Sequence, residues 1–279
     1  MTVPTISLND QTTIPQLGFG VFQVPPRQTA ETVTAAFEAG YRHIDTAQMY
    51  ANEKGVGEAV AASGIPRDEL YVTSKLNNGF HRPDDARRAF DRTIELLGPV
   101  DLFLIHWPLP TQYDGDFVST WKTMAEFRED GRTRSIGVSN FQPAHLDRIV
   151  EQTGVVPAVN QVEVHPFFGN EEVRAANARH GVATEAWSPI ARGQVVDNGV
   201  ITEISTRLGR TPAQVALRWH VERGDIVFPK SMSPARMKEN FEIFDFELEP
   251  GDMQAISSLD RGEAGRLGPN PDTFDWIPS

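Results

Sequence analysis

The sequence predicts an α/β fold, a (β/α)8 barrel with a short N-terminal β-hairpin and a C-terminal loop. Three observations carry that expectation. Short β-rich runs alternate with longer helical ones, which implies parallel strands joined by right-handed crossovers. The runs number eight within 279 residues, which suits a closed barrel better than an open doubly wound sheet. Polar residues also recur at the ends of successive runs, where a barrel gathers its working groups.

The elements follow in order. A hairpin-like start, TISLNDQTTIPQL, occupies residues 5–17. The expected strands are LGFGVF, YRHID, LYVTSK, VDLFLIHW, TRSIGVSN, PAVNQVEV, VATEAWS and DIVFP. Between them, TAETVTAAFEAG (residues 29–40) spaces Val33, Phe37 and its alanines for one buried face. PDDARRAFDRTIELLG (residues 83–98) has proline and acids in its first turn and glycine at its end, as helix boundaries prefer. TPAQVALRWHVERG (residues 211–224) offers Thr211 as N-cap, Pro212 at the first helical position and a closing Gly224. No linker or low-complexity block interrupts the pattern, so one domain over residues 1–279 is expected.

Composition narrows the function. Apolar residues at 39% and charged ones at 23% are those of a chain with a packed core, not a disordered one. Lys plus Arg number 26 against 38 Asp plus Glu, a net charge of -12. That balance argues against nucleic-acid binding and against adhesion to anionic membranes, while leaving room for a local basic pocket. With no cysteine, disulfides, thiolate nucleophiles and cysteine-ligated metals are excluded. The N-terminus MTVPTISLNDQTTIPQLG has no Lys or Arg and no apolar core, unlike a signal peptide. DLFLIHW is too short to cross a bilayer. A cytoplasmic monomer is the expectation.

The dinucleotide fingerprint of doubly wound folds is missing. Gly18 and Gly20 form a G-x-G without the third glycine, and Gly55 and Gly57 fail in the same way. Any nicotinamide cofactor must therefore be held by another route.

The strand ends carry Asp45, Lys75, His106, Ser139 with Asn140, Gln161 with Glu163, Trp187 with Ser188, and Lys230. Tyr50 stands just past the second strand, five residues after Asp45. It is either loop packing or a proton donor. A phenol has a pKa near ~10, and a nearby ammonium would lower it toward a range useful for proton transfer. Lys75 supplies that ammonium, Asp45 its anion, and His106 a hydrogen bond that could orient a carbonyl oxygen. Taken singly, each has a plainer reading: a structural ion pair for Asp45 and Lys75, core packing for His106 and Tyr50. Their joint placement at strand ends favours reduction of a ketone or aldehyde. Two rivals remain. His43 with Asp45, and Glu163 with His165, could hold a metal, although no H-x-H pair or further ligand cluster accompanies them and no metal is expected. A barrel that binds the cofactor without catalysis is the other.

The segment GYRHIDTAQMYANEKGVG (residues 40–57) resembles the first signature of the aldo-keto reductases. RSIGVSNF (134–141) resembles the second and FPKSMSPARMKENFEIF (228–244) the third. The HWP, NQVEVHP and WSP segments are similar too, and GRLGPNPD (265–272) resembles the tail of bacterial 2,5-diketo-D-gluconate reductases. The resemblance implies a catalytic tetrad of Asp45, Tyr50, Lys75 and His106, with Tyr50 as general acid and NADPH as cofactor. It assigns Ser139, Asn140 and Gln161 to the nicotinamide carboxamide and Trp187 to stacking on the ring, where the plainer alternative is rim packing. Ser188 opens SPIARGQ (188–194), which resembles a flexible segment over the pyrophosphate. Lys230, Ser231 and Arg236 match positions holding the 2′-phosphate, and Glu239 and Asn240 those reaching the adenine; a solvated basic patch is the alternative for Lys230 and Arg236. Relatives commonly read KLW where this chain reads KLNN, so Asn77 replaces an aromatic wall. Phe22, Asn77 and Trp276 are the expected substrate-pocket residues, around a small carbonyl substrate. Phe274 and Trp276 either close that pocket or dock the tail.

Overall fold

The computed structural model describes residues 3–278. Strands β1 (Thr5–Ser7) and β2 (Thr13–Pro15) form the antiparallel hairpin. Eight parallel strands follow: β3 (Phe19–Gly20), β4 (His43–Asp45), β5 (Tyr71–Leu76), β6 (Val100–Ile105), β7 (Thr133–Ser139), β8 (Val159–Glu163), β9 (Ala183–Trp187) and β10 (Ile226–Val227). Each pairs with the next, and a parallel bridge between Leu17 and Val227 closes the ring. The expected barrel and hairpin are therefore present.

Ring closure explains why the first and last strands are shorter than their apolar runs. Gly18 N donates to Val227 O and Val227 N to Gln16 O, so β10 and the start of β3 pair through single bonds. Past Gly20, the carbonyl of Val21 is taken by the Asn52 side chain, and Pro229 has no N–H to extend β10.

The hairpin covers the N-terminal end of the barrel. Leu8 and Ile14 pack with Tyr71, Leu102, Leu104, Val159 and Ile226, and Thr12 Oγ1 meets Ser135 Oγ at 2.9 Å. One end is thus stoppered by apolar side chains, and the opposite end carries the polar strand termini. The outer layer includes α1 (Pro26–Glu38), α2 (Glu53–Ala62), α3 (Pro83–Leu97), α4 (Phe117–Glu129) and α5 (Pro143–Thr153). It continues with α6 (Glu171–His180), α7 (Gly199–Leu208), α8 (Pro212–Glu222), α9 (Pro234–Phe241) and α10 (Pro250–Ser257).

Local chemistry sets several of these boundaries. Thr211 and Gln214 form a reciprocal capping box on α8, with Pro212 at its first position. Helix α3 ends at Gly98, whose φ is 76°. Helix α1 starts three residues ahead of the expected Thr29, because Pro26 suits a first helical turn. Gly55 and Gly57 serve helix packing. A Cβ on Gly55 would lie 2.7 Å from Thr29 Cβ in α1, and one on Gly57 2.0 Å from Leu96 O in α3. Their lack of side chains lets α2 sit close to both neighbours, and so anchors the loop that carries Tyr50. No helix among the described residues is long and apolar enough to cross a membrane.

Candidate active site

Asp45 closes β4, Lys75 lies near the end of β5, and His106 follows β6. Lys75 is fully buried and its Nζ donates to Asp45 Oδ1 at 2.7 Å, to Thr46 O at 2.9 Å and to Tyr50 Oη at 3.4 Å. All three ammonium hydrogens therefore have an acceptor. Breaking such a buried pair by removing one partner costs about 3–5 kcal/mol. Tyr50 is half-buried between Phe22, at 5.0 Å between ring centres, and His106, at 5.6 Å edge-on. The four residues expected to work together do meet.

The loop bearing Tyr50 is pinned from both sides. Gln48 Nε2 donates to Ala89 O and Thr93 Oγ1, while Gln48 Oε1 accepts from Asn77 N at 2.7 Å. Asn52 accepts from Thr46 Oγ1 and donates to Val21 O and Val24 O. Ala51 turns the chain at φ 56°. Neither Gln48 nor Asn52 had been singled out by its residue type, since their role is to satisfy backbone across loops.

Charge states differ from the simplest expectation. Burial pushes the Tyr50 phenol above its ordinary value; Lys75 pulls it down without overcoming that effect. The phenol is thus protonated at neutral pH. Burial works to lower Lys75, but Asp45 and Tyr50 reverse this and hold it above the ordinary lysine value. Burial, reinforced by Lys75, lowers His106 well below the usual imidazole range, so it is neutral. His106 Nδ1 is buried without a partner, which leaves Nε2 for the barrel mouth.

Ser139, Asn140, Gln161 and Trp187 lie beside this cluster. Ser139 Oγ donates to Gln161 O at 2.8 Å, and Asn140 Nδ2 donates to His106 O at 2.9 Å and Ser139 Oγ at 3.1 Å. Asn140 Oδ1 accepts from Trp187 Nε1 at 2.9 Å, fixing the indole at the rim. A second brace comes from the tail: Glu163 accepts from Leu267 N at 2.6 Å and Gly268 N at 2.9 Å. A Cβ on Gly268 would stand 2.5 Å from the Trp187 ring. Glu163 also pairs with His165 at 3.0 Å. Of these two residues, weighed as metal ligands, Glu163 docks the tail and His165 bonds to Glu163.

The segment after Trp187 is tightly turned, with positive φ at Ser188 (53°), Ala191 (48°), Arg192 (52°) and Gly193 (94°). Three of these are not glycine, a strained arrangement of the kind found at ligand clamps. Beyond β10, Lys230 in the following loop and Arg236 in the first turn of α9 are exposed, and Ser231 is buried. Ser231 Oγ accepts from Ser233 N at 3.1 Å. Ser233 makes no side-chain cap and the first turn holds no acid, so the helix's N–H groups are open to an anion. Neither cation is in an ion pair among the described residues, although nearby Lys238 pairs with Glu242. Asn240 is buried. Glu239 is tied to Thr211 Oγ1 at 2.8 Å, which commits one of its oxygens to the α8 cap.

The outer pocket residues divide. Phe22 and Trp276 are exposed at 54% and 53%, as suits walls of an open mouth. The Trp276 carbonyl is fixed by Asn78 Nδ2 at 2.9 Å, and Phe274 packs on Trp107 at 4.2 Å between rings, so the tail is docked as well as placed. Asn77, expected in the substrate pocket in place of an aromatic wall, has a local partner. Its Oδ1 accepts from Gly79 N at 2.9 Å, capping a short turn, and the residue lines an outer groove with Gln48, Phe80 and Arg88. The short asparagine side chain bonds its own backbone two residues on, a habit of this residue type. Glu185 went unnoticed in the sequence. It is two residues before Trp187 in β9, and strand parity alone points both into the barrel.

A closed barrel with a Tyr–Lys–Asp–His cluster at its strand ends defines the class of single-barrel oxidoreductases. Within that class the chain belongs to the Aldo/keto reductase family, whose profile matches residues 16–261. It is 50% identical over 275 residues to an aldo-keto reductase of Mycolicibacterium smegmatis, covering 98% of each chain. It is 43% identical over 278 residues to the methylglyoxal reductase DkgA of Escherichia coli (strain K12), covering 98% of this chain and 99% of that one. An NADPH complex of a Gox0644 mutant superposes with a TM-score of 0.94 at 44% identity, covering 99% of this chain and 100% of that one.

Proposed function

We propose that the protein is an NADPH-dependent reductase of small, electron-poor carbonyl compounds, α-dicarbonyls, keto sugars such as 2,5-diketo-D-gluconate and aldehydes among them. The observation that carries the reading is the Lys75 ammonium held between Asp45 at 2.7 Å and Tyr50 at 3.4 Å. Reduced nicotinamide, when bound, supplies the hydride. The protein supplies the proton and the geometry. Tyr50 Oη donates its proton to the carbonyl oxygen as negative charge develops there. Lys75, kept cationic by Asp45, stabilises the tyrosinate left behind. Neutral His106 turns Nε2 toward the mouth, where an N–H can orient the carbonyl. The products are an alcohol and the oxidised cofactor, and solvent returns the proton to Tyr50.

The residues present fit the cofactor. Trp187, braced by Asn140 and the tail, offers a broad apolar face for the nicotinamide. Ser139 and Gln161 stand beside it for the carboxamide. Lys230, Arg236 and the open first turn of α9 suit a 2′-phosphate. Relatives named methylglyoxal reductase support the dicarbonyl preference. The experiment is a substrate panel scored by NADPH consumption. Small dicarbonyls and keto sugars should exceed bulky steroids in kcat/KM, and equal efficiency on steroids would refute the narrow substrate class.

A further inference from the structure

Gln161 in β8 and Glu185 in β9 are direct register partners; the β10 residue opposite Glu185 is Ile226. Gln161 Nε2 donates to Asp45 Oδ2 at 2.8 Å and to Glu185 Oε2 at 2.8 Å. Both amide hydrogens are thereby committed inward. The Asp45 carboxylate, paired with Lys75, can be served only by the NH2 end of an amide, and the carbonyl oxygen of a neutral Glu185 accepts from that same end. We propose that Glu185 is a positioning residue: with Asp45 it locks the Gln161 amide so that its Oε1 alone is presented to the cofactor's carboxamide NH2. The inference rests on the NADPH reading above.

Asp45 alone would leave one N–H of Gln161 free. The amide could then pivot that N–H toward the mouth, presenting a donor where an acceptor had stood. Glu185 removes the choice. It is wholly buried, and its Oε1 has no hydrogen-bond partner, a costly arrangement for a group that only fills space. The titratable or charged groups around it are Asp45 from β4, and Lys75 and Tyr71 from β5, with Tyr50 beyond Lys75. Burial first, and Asp45 second, push Glu185 up to about 8. At neutral pH it therefore accepts from Gln161 without adding a second negative charge beside Lys75.

The test compares dissociation constants of NADPH and its reduced 3-acetylpyridine analogue, in which a methyl group replaces the carboxamide NH2. Wild-type protein should favour NADPH by about tenfold or more, the worth of one hydrogen bond to an otherwise unsatisfied acceptor. Glu185→Leu should bring that ratio to within about threefold of unity, and Glu185→Gln, whose amide oxygen can take the same N–H, should restore it. A ratio unchanged in Glu185→Leu overturns the proposal, as does a Glu185→Gln protein that behaves like the leucine variant. Melting temperatures supply a readout independent of cofactor. Because the folded pKa is raised, the unfolded chain releases the Glu185 proton first, and wild type loses stability as pH climbs from the ordinary carboxylate range to about 8. The melting temperature of Glu185→Gln relative to wild type should rise across that window. Where the leucine variant fails to fold, the cofactor ratio of Glu185→Gln decides, and a ratio near unity overturns the assignment. Wild-type turnover of methylglyoxal with NADPH, measured alongside, judges the proposed function separately.

Discussion

Lys75 and Lys230 follow the same rule of placement, one near the end of β5 and the other just past β10, yet their surroundings are opposite. Lys75 is fully buried, with acceptors at 2.7, 2.9 and 3.4 Å. Lys230 is exposed and, among the described residues, has no carboxylate partner. On the function proposed above, the difference separates two tasks at one rim. Proton transfer needs a fixed geometry and a weakly screened charge, so its lysine is enclosed and fully paired. Capture of a doubly charged phosphate, the role proposed for Lys230, needs a cation that is still unsatisfied. On a chain of net charge -12, Lys230 and Arg236, neither in an ion pair among the described residues, together form a local exception.

The sharpest way to break this comparison is at the enclosed end. Tyr50→Phe should lower kcat by at least ~10²-fold with NADPH affinity near wild type, because the ring stays and only the proton is lost. Near-normal turnover would remove Tyr50 as the donor. Lys75→Met should lower kcat by a comparable or somewhat smaller factor, since the tyrosinate loses its cation. Raising pH should not recover that rate, because reduction uses the protonated phenol, and burial already holds it above its ordinary value. Recovery at high pH would mean Lys75 acts elsewhere. Removing Lys75 also strands Asp45 as an unpaired buried acid, so NADPH binding must first show that the variant is folded.

The same contrast explains how much was legible in the sequence. Barrel, hairpin and the meeting of Asp45, Tyr50, Lys75 and His106 follow from alternation and from polar residues at strand ends, which backbone geometry forces onto one rim. What escaped is whatever depends on side chains bonding across elements. Gln48 and Asn52 look like ordinary loop residues until Ala89, Thr93, Val21 and Val24 supply their partners. The hold of Asn77 Oδ1 on the amide of Gly79 is likewise not visible from residue type alone. Glu163 and His165 had the spacing of ligands, yet one carboxylate meets tail amides more than 100 residues away. The expected lowering of Tyr50 by Lys75 named the right partner and the wrong balance, because sequence does not display burial.

At the open end the effect should be smaller and fall on binding. Arg236→Ala should weaken NADPH by at least about tenfold and leave NADH nearly unchanged, since a charge-assisted contact contributes ~1.5–3 kcal/mol. Because the phosphate is remote from the reacting carbon, kcat should hold. Fluorescence titration with each cofactor decides it. Equal weakening of both would make Arg236 a support of the fold.

Salt should then grade the two regions without any mutation. The screening length shrinks from about 10 Å at 0.1 M ionic strength to about 3 Å at 1 M, and exposed charges respond far more than enclosed ones. Lys230 and Arg236 are exposed, so the dissociation constant of NADPH should rise several-fold over that range, while that of NADH, which lacks the 2′-phosphate, should change less. The Lys75–Asp45 pair excludes water and counter-ions alike, with side-chain exposures of 0% and 3%. At saturating NADPH, kcat should therefore stay within about twofold across the same salt series. If kcat fell in step with affinity, the enclosed cluster would be open to ions after all, and the division between a shielded reaction centre and an exposed phosphate site would fail.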